Sequence, residues 1–233
     1  METGSQLINE SYQQAAELQS SEEVRTISID EKTGIQALER QEADLPMKPG
    51  KVHRREFEYT RHGTQCLIAN FDVVTGRIEN PTIGDTRNEE DFAAHIVSLL
   101  NSDLDTKKWR LIVDNLNTHQ SESLVRLVAQ RSNVDMDLGV KGQSGILKSM
   151  ESRAAFLSDP SMDVRFIYTP KHCSWLNQVE IWFSILQKKL LRRLNCKSTD
   201  YLKEQILKFI AYFNDTMAKP FQWSKNKKPL NAN

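Results

Sequence analysis

The stretch that most restricts what this chain can fold into is Trp109-Arg110-Leu111-Ile112-Val113-Asp114. It is nearly continuously apolar before its closing acid, so a strand formed here must be covered on both faces. The rest of the chain supplies matching pieces in alternating order. Val24-Arg25-Thr26-Ile27-Ser28-Ile29-Asp30 is a first β-rich run, also ending in an acid, and Glu31-Lys32-Thr33-Gly34 after it reads as a turn. A long apolar run at 64–74 is turned by Thr75-Gly76 into a further strand from Arg77, which is a hairpin signal. A fifth short strand, 164–168, is closed by Pro170.

Helical periodicity lies between and after these runs. Residues 85–102 place Phe92, Ile96, Leu99 and Leu100 on one side, and Ser121 can cap a helix to about Gln130. A modest helix falls near 146–157. From Asn177 onward, Val179, Trp182, Phe183, Leu186 and Leu190 recur at three- and four-residue steps, and 201–213 is again amphipathic. Strands alternating with helices predict an α/β layer architecture: a central mixed β-sheet flanked by helices, the hairpin being its antiparallel part.

Residues 1–23 are rich in Gln, Glu and Ser and read as a polar N-terminal arm or linker, with a short helix around Tyr12 to Leu18. Residues 24–233 then form one domain, with the Gly-containing stretch 133–163 as an insertion. A chain of 233 residues is long enough for one well-buried core. No apolar run approaches the roughly 18 residues that a membrane helix needs, and the first residues show no signal-peptide core. Cys66, Cys173 and Cys196 are odd in number and contain no C-x-x-C pair, which fits a reduced cytoplasmic setting and argues against a structural zinc site.

A net charge of zero hides an asymmetry. From Arg165 onward there are 13 Lys and Arg against 4 Asp and Glu, so the C-terminal third is strongly basic. A polyanionic partner is one reading, and mutual neutralisation of the two parts in the fold is the other. Residues 51–62 interleave basic and aromatic side chains, with Arg54, Arg55 and Arg61 as candidate DNA contacts, or form a solvated excursion between strands. Lys188, Lys189, Arg192 and Arg193 fall on the helix face away from the apolar stripe and could follow a phosphate backbone.

The chemistry is concentrated in three acids. Asp30 and Asp114 each end an apolar strand, and Glu180 lies in the first turn of a helix at the edge of its apolar stripe. Ligands of open α/β sheets gather outside the carboxyl ends of the strands. If the first and fourth strands are neighbours, the two aspartates lie side by side there, with Glu180 above them. Two unit charges ~4 Å apart cost about 4 kcal/mol at an effective dielectric near 20. Protons or a hard divalent cation must relieve that repulsion, and Mg²⁺ or Mn²⁺ suits oxygen donors. Each acid alone has a plain alternative as a turn or capping residue. Asn115, Asn117 and His119 could orient such carboxylates or simply satisfy a polar loop. Asn177 reads best as a cap of the Glu180 helix, and Trp175 and Trp182 as packing residues.

Three short blocks, Ile-Ser-Ile-Asp-Glu at Asp30, Ile-Val-Asp-Asn-Leu-Asn-Thr-His at Asp114 and Ser-Trp-Leu-Asn-Gln-Val-Glu-Ile-Trp-Phe at Glu180, resemble the catalytic blocks of insertion-sequence transposases. The likeness is to the mariner-related branch of the DDE superfamily, and it covers nearly everything from Val24 onward. It implies a ribonuclease-H-like fold, with Asp30, Asp114 and Glu180 as catalytic metal ligands. It further implies two Mg²⁺ (or Mn²⁺) ions, cutting of double-stranded DNA at transposon ends, and joining of the freed 3′-hydroxyl to target DNA. A homodimer, no membrane partner, no small-molecule substrate and a bacterial cytoplasmic, nucleoid-associated location complete that expectation. Two departures stand out. Asp114 and Glu180 are 66 positions apart, about twice the spacing usual in the superfamily, with 133–163 accounting for the excess. Only 23 residues precede the first strand, where such enzymes carry helix-turn-helix domains, so the chain is expected to be a truncated catalytic half. Another ribonuclease-H-like nuclease and a non-catalytic remnant are the alternatives.

Overall fold

The computed structural model describes residues 4–41 and 58–221. Five strands form one sheet: β1 (Val24–Arg40), β2 (Tyr59–Asp72), β3 (Ile78–Gly84), β4 (Lys108–Val113) and β5 (Val164–Tyr168). Their order is β3-β2-β1-β4-β5. β1 pairs antiparallel with β2 and β2 with β3, while β1–β4 and β4–β5 are parallel, so the sheet is mixed as expected. Helices α1 (Gly4–Glu22), α5 (Val179–Leu186) and α6 (Thr199–Thr216) cover one face, and α2 (Glu89–Asn101), α3 (Glu122–Arg131) and α4 (Met150–Leu157) cover the other. The period-2 alternation of β1 and β4 divides the core accordingly. Ile27, Ile29, Leu111 and Val113 face α2–α4, whereas Ile112 faces α1, α5 and α6.

The structure corrects four expectations. Glu31-Lys32-Thr33-Gly34 is not a turn: β1 continues to Arg40, and Gly34, at φ +62°, sits within a register shift between Lys32 and Ile35. Arg61 therefore stands on a two-stranded ribbon opposite Leu38, with its guanidinium 5.6 Å from the Tyr59 ring. Residues 4–22 are not an arm but a 19-residue helix, because Ile8, Tyr12 and Ala15 recur on one face and enter the core. Residues 133–163 do more than loop out: Leu147, Phe156 and Leu157 join the core beneath β4 and β5, and Arg153 Nε donates to the Gln120 carbonyl at 2.6 Å. The Glu180 helix begins at Val179 and passes at Gln187–Leu191 into a wider π turn.

Buried polar groups lock these layers. Arg25, 9% exposed, pairs with Asp72, Glu79 and Asp103, the last at 3.1 Å, and lies 5.3 Å from the Trp109 ring centroid. At the β3 edge the Asn214 amide takes both backbone groups of Ile78, accepting at 2.8 Å and donating at 2.7 Å, which blocks further strand addition there. His95 of α2 lies between Thr82 (2.7 Å) and Asn70 (2.8 Å). The Asn70 amide nitrogen already donates to Glu79 and Asn80, so its oxygen accepts from His95 Nε2.

The junction that matters most for the site is made by Ser28. Its Oγ accepts from the Val179 N–H at 2.9 Å and donates to Asn177 Oδ1, so β1 itself caps α5. Tyr12 adds a second tie, donating to the Leu176 carbonyl at 2.9 Å and accepting from the Gln178 N–H at 3.1 Å. Ser28→Ala leaves a buried N–H and a buried amide oxygen without partners, and urea unfolding should show a loss of about 2 kcal/mol. Ser20→Ala, on the exposed side of α1, should cost far less. Burial lowers the His95 pKa to about 3. The unfolded chain therefore binds the proton first as pH falls from about 6.5, and stability drops through the window down to about 3. His95→Gln should flatten that acid limb by up to about 1.4 kcal/mol per pH unit, read as the difference between two denaturation series.

Candidate active site

Parallel pairing of β1 with β4 carries Ser28 opposite Ile112. Two residues further along each strand, the same register brings Asp30 beside Asp114, both on the face that carries α5. Glu180 enters from above, in the first turn of α5. Asp30, Asp114 and Glu180 thus lie within reach of one another's charge near the carboxyl end of β4.

Each acid is held differently. Asp30 is 5% exposed; its Oδ1 accepts from the Glu31 N–H at 2.8 Å and its Oδ2 from Asn177 Nδ2 at 3.4 Å. Burial, reinforced by the charges of Asp114 and Glu180, pushes its pKa up to about 7, although the Glu31 N–H pulls the other way. Asp114 accepts from the Leu116 N–H at 3.0 Å and from His119 Nδ1 at 2.8 Å. Burial raises its carboxyl, but the hydrogen bond and charge of His119 outweigh that and leave it below the ordinary carboxylate range. Burial also lifts Glu180, with Asp114 adding to the rise and Lys32 opposing it.

The neighbours divide in the same way. His119 is fully buried, with its ring 4.2 Å from that of Phe92 and its carbonyl accepting from Tyr168 at 2.8 Å. Both ring nitrogens face carboxylates, Asp114 and Glu31, which can only accept. Burial works against charging this ring, but the two acids prevail and push its pKa up to about 10. Asn177 does not cap α5 through its side chain; its amide bridges Ser28, the Ile29 carbonyl and Asp30. Asn115 turns away from the acids and donates to the Thr169 carbonyl, joining the ends of β4 and β5. Trp182 is fully buried, but Trp175 is 57% exposed and is not a core residue.

Lys188, Lys189, Arg192 and Arg193 are exposed on and after the π turn, while Arg61 lies on the distant ribbon. Arg54 and Arg55 lie outside the described residues. Sequence reasoning missed three side chains near the acids. Lys32 reaches the Phe183 ring at 6.0 Å and acts on Glu180; Arg87, in the exposed loop before α2, acts on Asp114; and Glu31 holds His119. Strand alternation past Asp30 would have placed Lys32 on the α5 face and Glu31 opposite, had the strand been extended.

The donor set suits a hard cation: three carboxylates, two of them lifted by burial and mutual repulsion. Among the described residues, however, no three His, Cys, Asp or Glu side chains are gathered closely enough to hold one ion as they stand. The acids feel one another's charge in a looser arrangement than a closed cage.

Comparison with known proteins places this geometry. The family model described as "DDE superfamily endonuclease" matches residues 25–203. The fold is similar to that in the crystal structure of the Mos1 mariner paired end complex with Mn, with a TM-score of 0.52 and 12% identity over 91% of this chain and 57% of that one. The mariner Mos1 paired end complex with Mg gives a TM-score of 0.35 at 15% identity, covering 94% of this chain and 61% of that one. No curated protein matches the sequence. The chain spans 57% of the length of that Mos1 chain. It belongs to the DDE superfamily endonucleases, and its mixed five-stranded sheet flanked by helices is a ribonuclease-H-like fold similar to that of the Mos1 mariner structure.

Proposed function

We propose that this chain carries the catalytic centre of a DDE transposase, with Asp30, Asp114 and Glu180 as the ligands of divalent metal. The reaction is cleavage of double-stranded DNA at transposon ends, followed by transfer of the freed 3′-hydroxyl into target DNA. The observation that carries this reading is the convergence of three electrostatically coupled acids beside the β1–β4 pair. The Mos1 complex of similar fold is described with Mn, which favours Mn²⁺, or the equally hard Mg²⁺, here. A pair of such ions, when bound, supplies Lewis acidity at the attacking hydroxyl and at the leaving oxygen of an in-line phosphoryl displacement.

The chain's own residues do the rest. Asp30 is fixed through both oxygens, so it offers a preset ligand from the sheet. Asp114 is kept ionised by His119, and Glu180 is delivered by a helix whose start is pinned to β1 through Ser28 and Asn177. Lys32 and Arg87 flank the acids and can neutralise a phosphate drawn in between them. The exposed cations Lys188, Lys189, Arg192 and Arg193 extend a positive track from α5 that a DNA backbone would follow. Two copies of the chain acting on two ends make a homodimer the natural assembly.

Calorimetric titration with Mn²⁺, with and without a short duplex, should show binding in the wild type that Asp114→Asn removes. A plasmid assay then separates chemistries: joining of a duplex 3′-hydroxyl to the plasmid marks a transposase, whereas nicking without joining overturns the strand-transfer reading. The raised pKa of Asp30 gives a second expectation. The folded state holds its proton up to about 7 and the unfolded state only to about 4, so the buried carboxylate costs stability as pH rises through that window. Asp30→Asn should therefore raise the melting temperature of the metal-free protein at pH 8, by a few kcal/mol of stability at most. That gain should vanish near pH 4, and added Mn²⁺ should stabilise the wild type but not the variant.

A further inference from the structure

Glu31 follows a proposed metal ligand directly, yet it sits on the opposite face of β1, with its side chain 1% exposed. Burying a carboxylate is costly unless it is paired. Its partner is His119, whose Nε2 lies 3.2 Å from each of the two Glu31 oxygens. The other nitrogen of the same ring lies 2.8 Å from Asp114 Oδ1. Through its main chain Glu31 reaches the remaining aspartate, its N–H donating to Asp30 Oδ1 at 2.8 Å. One residue thus touches Asp30 directly and Asp114 through one imidazole.

We infer that Glu31 is a positioning residue that fixes the placement of the Asp114 carboxylate relative to Asp30, acting through His119. The inference rests on the reading of Asp30 and Asp114 as metal ligands. The ring between the two carboxylates has little freedom: Phe92 packs 4.2 Å from it, and Tyr168 holds the His119 carbonyl. Rotation of Asp114 away from Asp30 would break its bond to Nδ1, and Glu31 keeps that nitrogen aimed. Without Glu31 the imidazole has one anchor instead of two and Asp114 is free to adopt other rotamers. Partners that orient a ligating group typically matter 10–100-fold in metal affinity or activity when removed.

The test is Mn²⁺ affinity, read by electron paramagnetic resonance on the full chain, with folding checked separately by circular dichroism and thermal melting. Glu31→Ala and His119→Gln should each weaken Mn²⁺ binding 10–100-fold in protein that remains folded. The double variant should be no weaker than the worse single one, since both changes break the same linkage. Glu31→Gln keeps an oxygen facing Nε2 and should recover most of the affinity. A purely structural role would lower melting temperatures and leave the affinity of folded molecules unchanged. Folded Glu31→Ala and His119→Gln with wild-type affinity, beside an Asp114→Asn that binds nothing, would overturn this inference alone. Should Glu31→Ala not fold, His119→Gln decides by itself. Wild-type Mn²⁺ binding by Asp114→Asn would remove the metal-ligand reading, and this inference with it.

Discussion

Everything at the acid cluster depends on the parallel pairing of β1 with β4. These strands are separated in sequence by β2, β3 and α2, and their register sets Asp30 beside Asp114. A slip of one residue would send one aspartate to the opposite face of the sheet. The register is secured by covering both faces. Ile27, Ile29, Leu111 and Val113 pack under α2–α4, and Ile112 packs under the helices above. The Arg25 cluster adds a polar lock at the far end of the same strands, joining β1, β2 and β3 to the loop before β4. The hydrophobic layers thus provide the cohesion, and buried ion pairs and hydrogen bonds select one alignment.

The site shows a division of labour between burial and pairing. Asp30 is destabilised by its surroundings, whereas Asp114, a strand away, is stabilised as an anion by a charged histidine. Ribonuclease-H-like scaffolds can tolerate such an arrangement because the surrounding sheet holds more than enough apolar burial to offset one strained carboxylate. The costs are local, and they coincide with the residues proposed to bind metal, as expected where function competes with stability.

Much of this was legible in the sequence because it was written in periodicity. The nearly continuous apolar run before Asp114 specified a doubly covered strand, and the steps from Val179 to Leu186 specified the helix that carries Glu180. What escaped notice was signalled more weakly. Helix α1 sets Ile8, Tyr12 and Ala15, with Leu7 beside them, among many polar residues, so its composition masked a regular spacing. Gly34 suggests a turn, although a glycine at positive φ serves a bulge equally well, and a strand taken to end there leaves out Glu31 and Lys32. Asn177 resembled a helix cap in its position, but its partners lie on β1, and only tertiary structure reveals them.

The tie between Tyr12 and the Leu176–Gln178 turn spans 164 positions or more, and Ser28 reaches Val179 across 151. Such distant closures set the order of events during synthesis. A ribosome delivers the chain from its N-terminus, and α1, β1 and the hairpin are available to fold while the segment bearing Glu180 has yet to be made. The cap of α5, the seat of Asn177 against Asp30 and the third acid all arrive together, late. A nascent chain therefore carries two of the three acids but lacks the completed cluster, and assembly of the site is coupled to near-completion of the domain.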